Sequence, residues 1–170
     1  MSTTNGRGTR SPKLGVNPHS LRQLAVERKW YIYFHLDWIG DDEFAILRQA
    51  LPTGSFNCAA VASDGTVRPL GQVGAGELRS AIMNTVDTGF AATDGTFDAN
   101  GSVRGGTFVL FVSDDNDIGL LAGQPEWIER YARHVRELPH ADAKEQFRAN
   151  WDWTKHETGD WYRYLEPVLA

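Results

Sequence analysis

The stretch Trp30-Tyr31-Ile32-Tyr33-Phe34-His35-Leu36-Asp37-Trp38 decides how the fold is read. Trp30, Ile32, Phe34, Leu36 and Trp38 share one parity, and Tyr31, Tyr33, His35 and Asp37 share the other. Successive side chains of a strand point to opposite faces, so the pattern predicts a strand with one wholly apolar side. The other side carries two phenols, an imidazole and a carboxylate. Such a wall suits recognition, and Tyr31, Tyr33, His35 and Asp37 are the first candidate binding residues. Residues two apart on a strand lie about 6.6 Å apart, which makes His35 and Asp37 neighbours. A carboxylate beside an imidazole favours its protonated form, as a general acid or a charged binding group requires. The competing explanation is plain packing, since aromatic strand faces sit well under helices.

Working outward from this strand, Asn17 followed by Pro18 is a helix start, with a capping side chain and then proline at the first helical position. On the other side, Asp41, Asp42 and Glu43 open a second helix whose inner face is Phe44, Leu47, Ala50 and Leu51. Acids at a helix N-terminus contribute about 0.3–1 kcal/mol each, so this cluster reads as helix chemistry rather than a metal site. Residues 56–62 read as a buried strand. Asp64-Gly65 is a hairpin signal, with residues 66–70 returning alongside. Residues 71–76 read as a glycine-rich loop and 77–87 as a helix closed by Gly89. Residues 107–112 form a continuous apolar run of strand length, placed centrally in a sheet. Pro125 opens an amphipathic helix with Trp127, Ile128, Tyr131, Val135 and Leu138 inward. Residues 142–151 predict a last long helix.

Two hairpin signals and helices without strict alternation predict an α+β fold. It is a mostly antiparallel sheet of about four to six strands with helices packed on one face. Residues 1–16 are expected to be a disordered basic tail, because Gly, Ser, Thr, Arg7, Arg10 and Lys13 cannot bury enough apolar surface to offset ordering entropy. Residues 17–170 are expected to form a single domain.

The net charge of −5 is unevenly spread. Residues 1–29 hold six basic groups and one acid, for +5, and the remainder holds eleven basic groups and twenty-one acids, for −10. An acidic body repels phosphate backbones and steers basic partners by its long-range field. Nucleic acid is therefore expected only through the N-terminal tail. No apolar run reaches the length of a membrane span, so no membrane association is expected. One cysteine, Cys58, excludes an internal disulfide framework and suggests a reducing, cytoplasmic setting.

Further candidates are weaker. Asp114, Asp115, Asn116 and Asp117 follow the strand at 107–112, where Mg²⁺ ligands often sit, but they lack a defined ligand spacing. Gly71, Gly74 and Gly76 precede a helix, yet match neither a dinucleotide fingerprint nor a P-loop. Cys58 lies in an apolar run and reads as core filler. The C-terminal region concentrates Trp151, Trp153, Trp161, Tyr162 and Tyr164, residue types that dominate interface energetics. No H-x-x-x-H, H-E-x-x-H, paired Cys/His or G-x-S-x-G pattern is present, so no metal or cofactor is expected.

Two functions follow. In the first, the chain is an acidic binding module that clamps a basic protein, in the manner of an inhibitor or immunity protein, using Tyr31, Tyr33, His35, Asp37, Asp114, Asp115, Trp153 and Trp161. In the second, it is a small enzyme or ligand-binding domain with a Tyr/His/Asp pocket on the first strand, built from Tyr31, Tyr33, His35 and Asp37 and joined by Asp114 and Asp115.

Overall fold

The computed structural model describes residues 16–36, 39–52, 54–85, 87–114, 118–142 and 157–170. Among the described residues eight strands are present: β1 (Tyr31–Leu36), β2 (Ser55–Val61), β3 (Val67–Gly74), β4 (Gly89–Thr93), β5 (Thr96–Phe97), β6 (Val103–Arg104), β7 (Phe108–Val112) and β8 (Ile118–Gly123). Helices among the described residues are α1 (Pro18–Arg28), α2 (Asp41–Ala50), α3 (Leu78–Met83), α4 (Pro125–Arg136) and α5 (Glu157–Leu165). Six strands form one sheet in the order β1-β8-β7-β4-β2-β3, antiparallel throughout, and β5 and β6 form a small hairpin. The α+β class is as the sequence predicts.

Local signals explain the ends of α1. Asn17 Oδ1 accepts from the Ser20 N–H and Ser20 Oγ accepts from the Asn17 N–H, both at 3.0 Å, a reciprocal capping box. Pro18 supplies the first helical position. Lys29 closes the helix in the left-handed region at φ 54°, and the Trp30 N–H reaches back to the Ala25 carbonyl at 2.8 Å. That turn delivers Trp30 straight into the sheet.

Helices cover both faces of the sheet, not the one face expected from sequence. On one face Tyr33, Phe56, Phe90, Phe108, Leu110 and Leu121 meet Leu47 of α2, Leu78 and Ile82 of α3, and Ile128, Tyr131 and Val135 of α4. On the other, Ile32, Phe34, Ala91, Val109, Phe111, Leu120 and Ala122 meet Leu21 and Ala25 of α1 and Leu165 of α5. Burial of a large apolar side chain contributes about 1.5–3 kcal/mol, so a second apolar face is a strong reason to recruit a second layer. It also explains why β4, β7 and β8 are buried at every position and show no polar alternation.

Several boundaries differ from the sequence reading. Strands β4 and β8 fall where no strand was expected. β3 continues through Gly71 to Gly74, so the glycine-rich loop is mostly strand, and α3 is correspondingly short. Val16 belongs to the core rather than the tail: it is buried, and its N–H donates to the Gly65 carbonyl at 3.2 Å. The helix expected at 142–151 lies outside the described residues apart from its start.

The two edges of the sheet are treated differently. At β1 the Ala170 N–H donates to the Ile32 carbonyl at 3.0 Å, adding a parallel bridge from Leu169. At β3 a bulge opposite Cys58 and Ala59 displaces Leu70, and Pro69 removes a donor. Bulges and proline discourage pairing with another chain along an open edge.

Candidate functional site

Strand direction gathers four connections at one end of the sheet. They follow β1, join β2 to β3, lead into β4, and join β7 to β8. Their sequences are residues 37–42, 62–66, 84–88 and 113–117. Their described residues include Asp41, Asp42, Asp64, Asp87 and Asp114, and no Lys or Arg. These aspartates are all exposed. Asp41 pairs with Arg79 of α3 at 2.8 Å, and Asp64 Oδ1 also accepts from the Thr66 N–H at 2.8 Å, fixing its own turn. The opposite end is mixed: Lys29, Arg104, Glu77, Asp94 and Asp98 lie there. Asp94 is consumed by the Thr107 N–H and hydroxyl, each at 2.7 Å.

A cleft of about 220 Å³ opens at the acidic end, on the face covered by α1 and α5. Val61, Phe111 and Ile118 supply apolar lining, Trp161 of α5 a further aromatic one, and Ser63, Ser113 and Asp114 the polar lining. The rings of Phe111 and Trp161 sit 6.1 Å apart and tilted by 42°. Each wall has a local cause. Gly65 takes φ +87° in the β2–β3 turn, and its N–H donates to the Ala62 carbonyl at 2.8 Å. Ser113 Oγ accepts from the Ile118 N–H at 3.1 Å, tightening the β7–β8 connection under Asp114. Gly89 lets β4 begin between its neighbours, since a Cβ there would lie 2.9 Å from the Val112 carbonyl oxygen and 3.3 Å from that of Val61.

Asp114 and Trp161, far apart in the chain and singled out for different reasons, therefore line one cleft. Tyr33 and His35 do not join them, and the expected open wall is corrected here. Both are 5 % exposed, sealed beneath α4. The Tyr131 hydroxyl and His35 Nε2 are 2.9 Å apart, and the Tyr33 ring stands edge-on to both, at 4.6 Å from His35 and 5.5 Å from Tyr131. Polar aromatic residues are buried readily when their polar atoms are paired, as the Tyr131 hydroxyl and His35 are here, with the Tyr33 ring packed edge-on against both. Burial, with smaller contributions from Tyr33 and Glu43, pushes the Tyr131 phenol well above its usual range, so it keeps its proton. Glu43, 1 % exposed, extends the polar layer, with His140 Nε2 3.2 Å from its Oε1. The layer ties β1, α2 and α4 together, with Tyr33, His35, Glu43 and Tyr131 all buried. Tyr31 is exposed, but at the opposite end, paired with Gly123. Asp37, Asp115 and Trp153 lie outside the described residues, as do Asn116 and Asp117.

The remaining motifs resolve as structure. The Gly74 N–H donates to Glu77 Oε2 at 3.1 Å, so a carboxylate of the chain itself occupies the start of that turn. Cys58 is buried, and burial pushes its thiol up to about 11, which removes the thiolate that reactivity needs. Among the described residues, no three His, Cys, Asp or Glu side chains are grouped to hold a metal ion. None of the described helices is long and apolar enough to cross a membrane.

Sequence reasoning missed Ser63, Phe111, Ser113 and Gly89 as cleft residues. The available signal was the aspartate shared by successive turns, which only the strand order assembles. No family model, curated protein or solved structure matches the chain.

Proposed function

We propose that this protein is a binding module that clamps a basic partner protein with the acidic end of its sheet, in the manner of inhibitor or immunity proteins. One observation carries the reading: four separate connections converge there, each bringing aspartate and none bringing Lys or Arg. Charges of one sign held on separate turns of a rigid sheet create a potential that raises the on-rate for an oppositely charged surface and rejects like-charged ones. A reducing, cytoplasmic compartment suits the reading, because Cys58 is a free thiol.

The test is association with a panel of basic proteins, nucleases and transferases among them, measured at low and at physiological salt. The wild type is compared with a variant carrying Asp42→Asn, Asp64→Asn and Asp87→Asn. The expected result is a complex whose association rate falls with salt and with these substitutions. Equal rates for both proteins at all salt concentrations would overturn the proposal.

A further inference from the structure

Resting on that reading, we infer that the cleft beside Trp161 receives a single arginine side chain of the basic partner. Its size suits one side chain. Pockets for small organic ligands are generally about 300–1,000 Å³, whereas this one is about 220 Å³, the scale of one long side chain. Its lining is divided in the way such a side chain is divided. Phe111 and Ile118 offer apolar surface for an alkyl stem, and Asp114 and the Trp161 ring offer partners for a cationic head. Long cationic side chains lay their stems on apolar surface and keep the head in polar contact. A guanidinium also stacks on an indole face and binds a carboxylate through two parallel N–H donors, which an ammonium does not. An anionic occupant would face Asp114 with Asp64 and Asp87 on the adjoining turns. A wholly apolar occupant would strip water from Asp114 without replacing its hydrogen bonds.

The experiment uses the full chain and the blocked dipeptide mimic acetyl-arginine-methylamide, with the lysine and norleucine analogues as controls. Binding is followed by the indole and amide NMR signals, the Trp161 indole being assigned from Trp161→Phe. The arginine probe is expected to shift Trp161, Ser63 and Ser113, the lysine probe less, and norleucine not at all. Ser63→Trp places bulk at an exposed rim position and should abolish the shifts while leaving the unfolding temperature unchanged. Asp114→Asn should weaken binding about fivefold or more. Equal shifts from arginine and norleucine, or arginine shifts that survive Ser63→Trp, would overturn the inference. So would arginine binding seen only after residues 1–13 are deleted, because Arg7, Arg10 or Lys13 of the chain itself would then be the occupant.

The same variants separate this inference from its premise. If the loop-aspartate variant loses the basic partner and Ser63→Trp does not, the cleft assignment fails and the acidic-end reading stands. If the arginine probe fills the cleft but no basic protein binds, the acidic-end reading fails alone.

Discussion

Replacing Tyr131 with Phe removes one buried oxygen from the layer beneath α4. Tyr131 is 1 % exposed and His35, 2.9 Å from its hydroxyl, is 5 % exposed. The ring itself, packed edge-on against Tyr33 and stacked near Trp127 at 6.5 Å, keeps its shape in the variant. What is lost is the hydrogen bond and the compensation it gives a buried imidazole nitrogen. That combination costs about 1–3 kcal/mol. At about 2–4 °C per kcal/mol for a chain of this size, a loss of about 2 kcal/mol lowers the melting temperature by roughly 4–8 °C. Urea denaturation at neutral pH measures it directly, with an unchanged slope showing that the unfolded state is the same. The pH dependence adds an independent check. The folded state holds the Tyr131 phenol well above its usual value, so the unfolded chain releases that proton first as pH rises past about 10. The stability is therefore intact below that pH and is lost above it, by as much as about 1.4 kcal/mol per pH unit from this group. Tyr131→Phe should lack that component, and the two stability curves should converge as pH rises above about 10. Cys58, pushed up to about 11, titrates in both proteins and cancels in the comparison. Equal stability at neutral pH together with parallel curves above pH 10 would refute the buried Tyr131–His35 bond.

Two other substitutions test local geometry. Lys29→Gly relieves a left-handed residue at φ 54° and should stabilise by about 1 kcal/mol; an unchanged or lower denaturation midpoint would mean that α1 does not end in that turn. Gly89→Ala forces a methyl group to within 2.9 Å of the Val112 carbonyl oxygen and should cost about 1–3 kcal/mol. An unaltered melting temperature would show that β4 begins elsewhere.

The sidedness of β1 was legible because period two survives any packing. What it did not disclose was which side meets water. Polarity alone predicts that Tyr33 and His35 face outward, yet Tyr131, nearly a hundred positions later, supplies the hydroxyl that makes burial of His35 tolerable and a ring for Tyr33 to pack against. β4 and β8 escaped notice for a related reason. Gly-Phe-Ala-Ala-Thr and Ile-Gly-Leu-Leu-Ala-Gly are buried on both faces, so they lack the alternation that marks a half-exposed strand, and their glycines read as turns. Once β8 is missed, the second apolar face of the sheet has no visible owner, and helices are assigned to one side only. The cleft suffered most. Ser63, Asp114 and Trp161 carry no mutual spacing in the chain, and only the antiparallel order brings them together.

The register of β1 has a consequence for how the molecule is made. Tyr31 pairs with Gly123 and Leu36 with Ile118, so β1 leaves the ribosome well ahead of the strand it pairs with. The hairpins of β2 with β3 and of β7 with β8 close between nearby residues, whereas β1 must stay unzipped until most of the chain has been synthesised. During that interval Trp30, Ile32 and Phe34 lack the β8 side chains that help bury them in the finished fold, and exposed apolar surface of this kind is prone to aggregate.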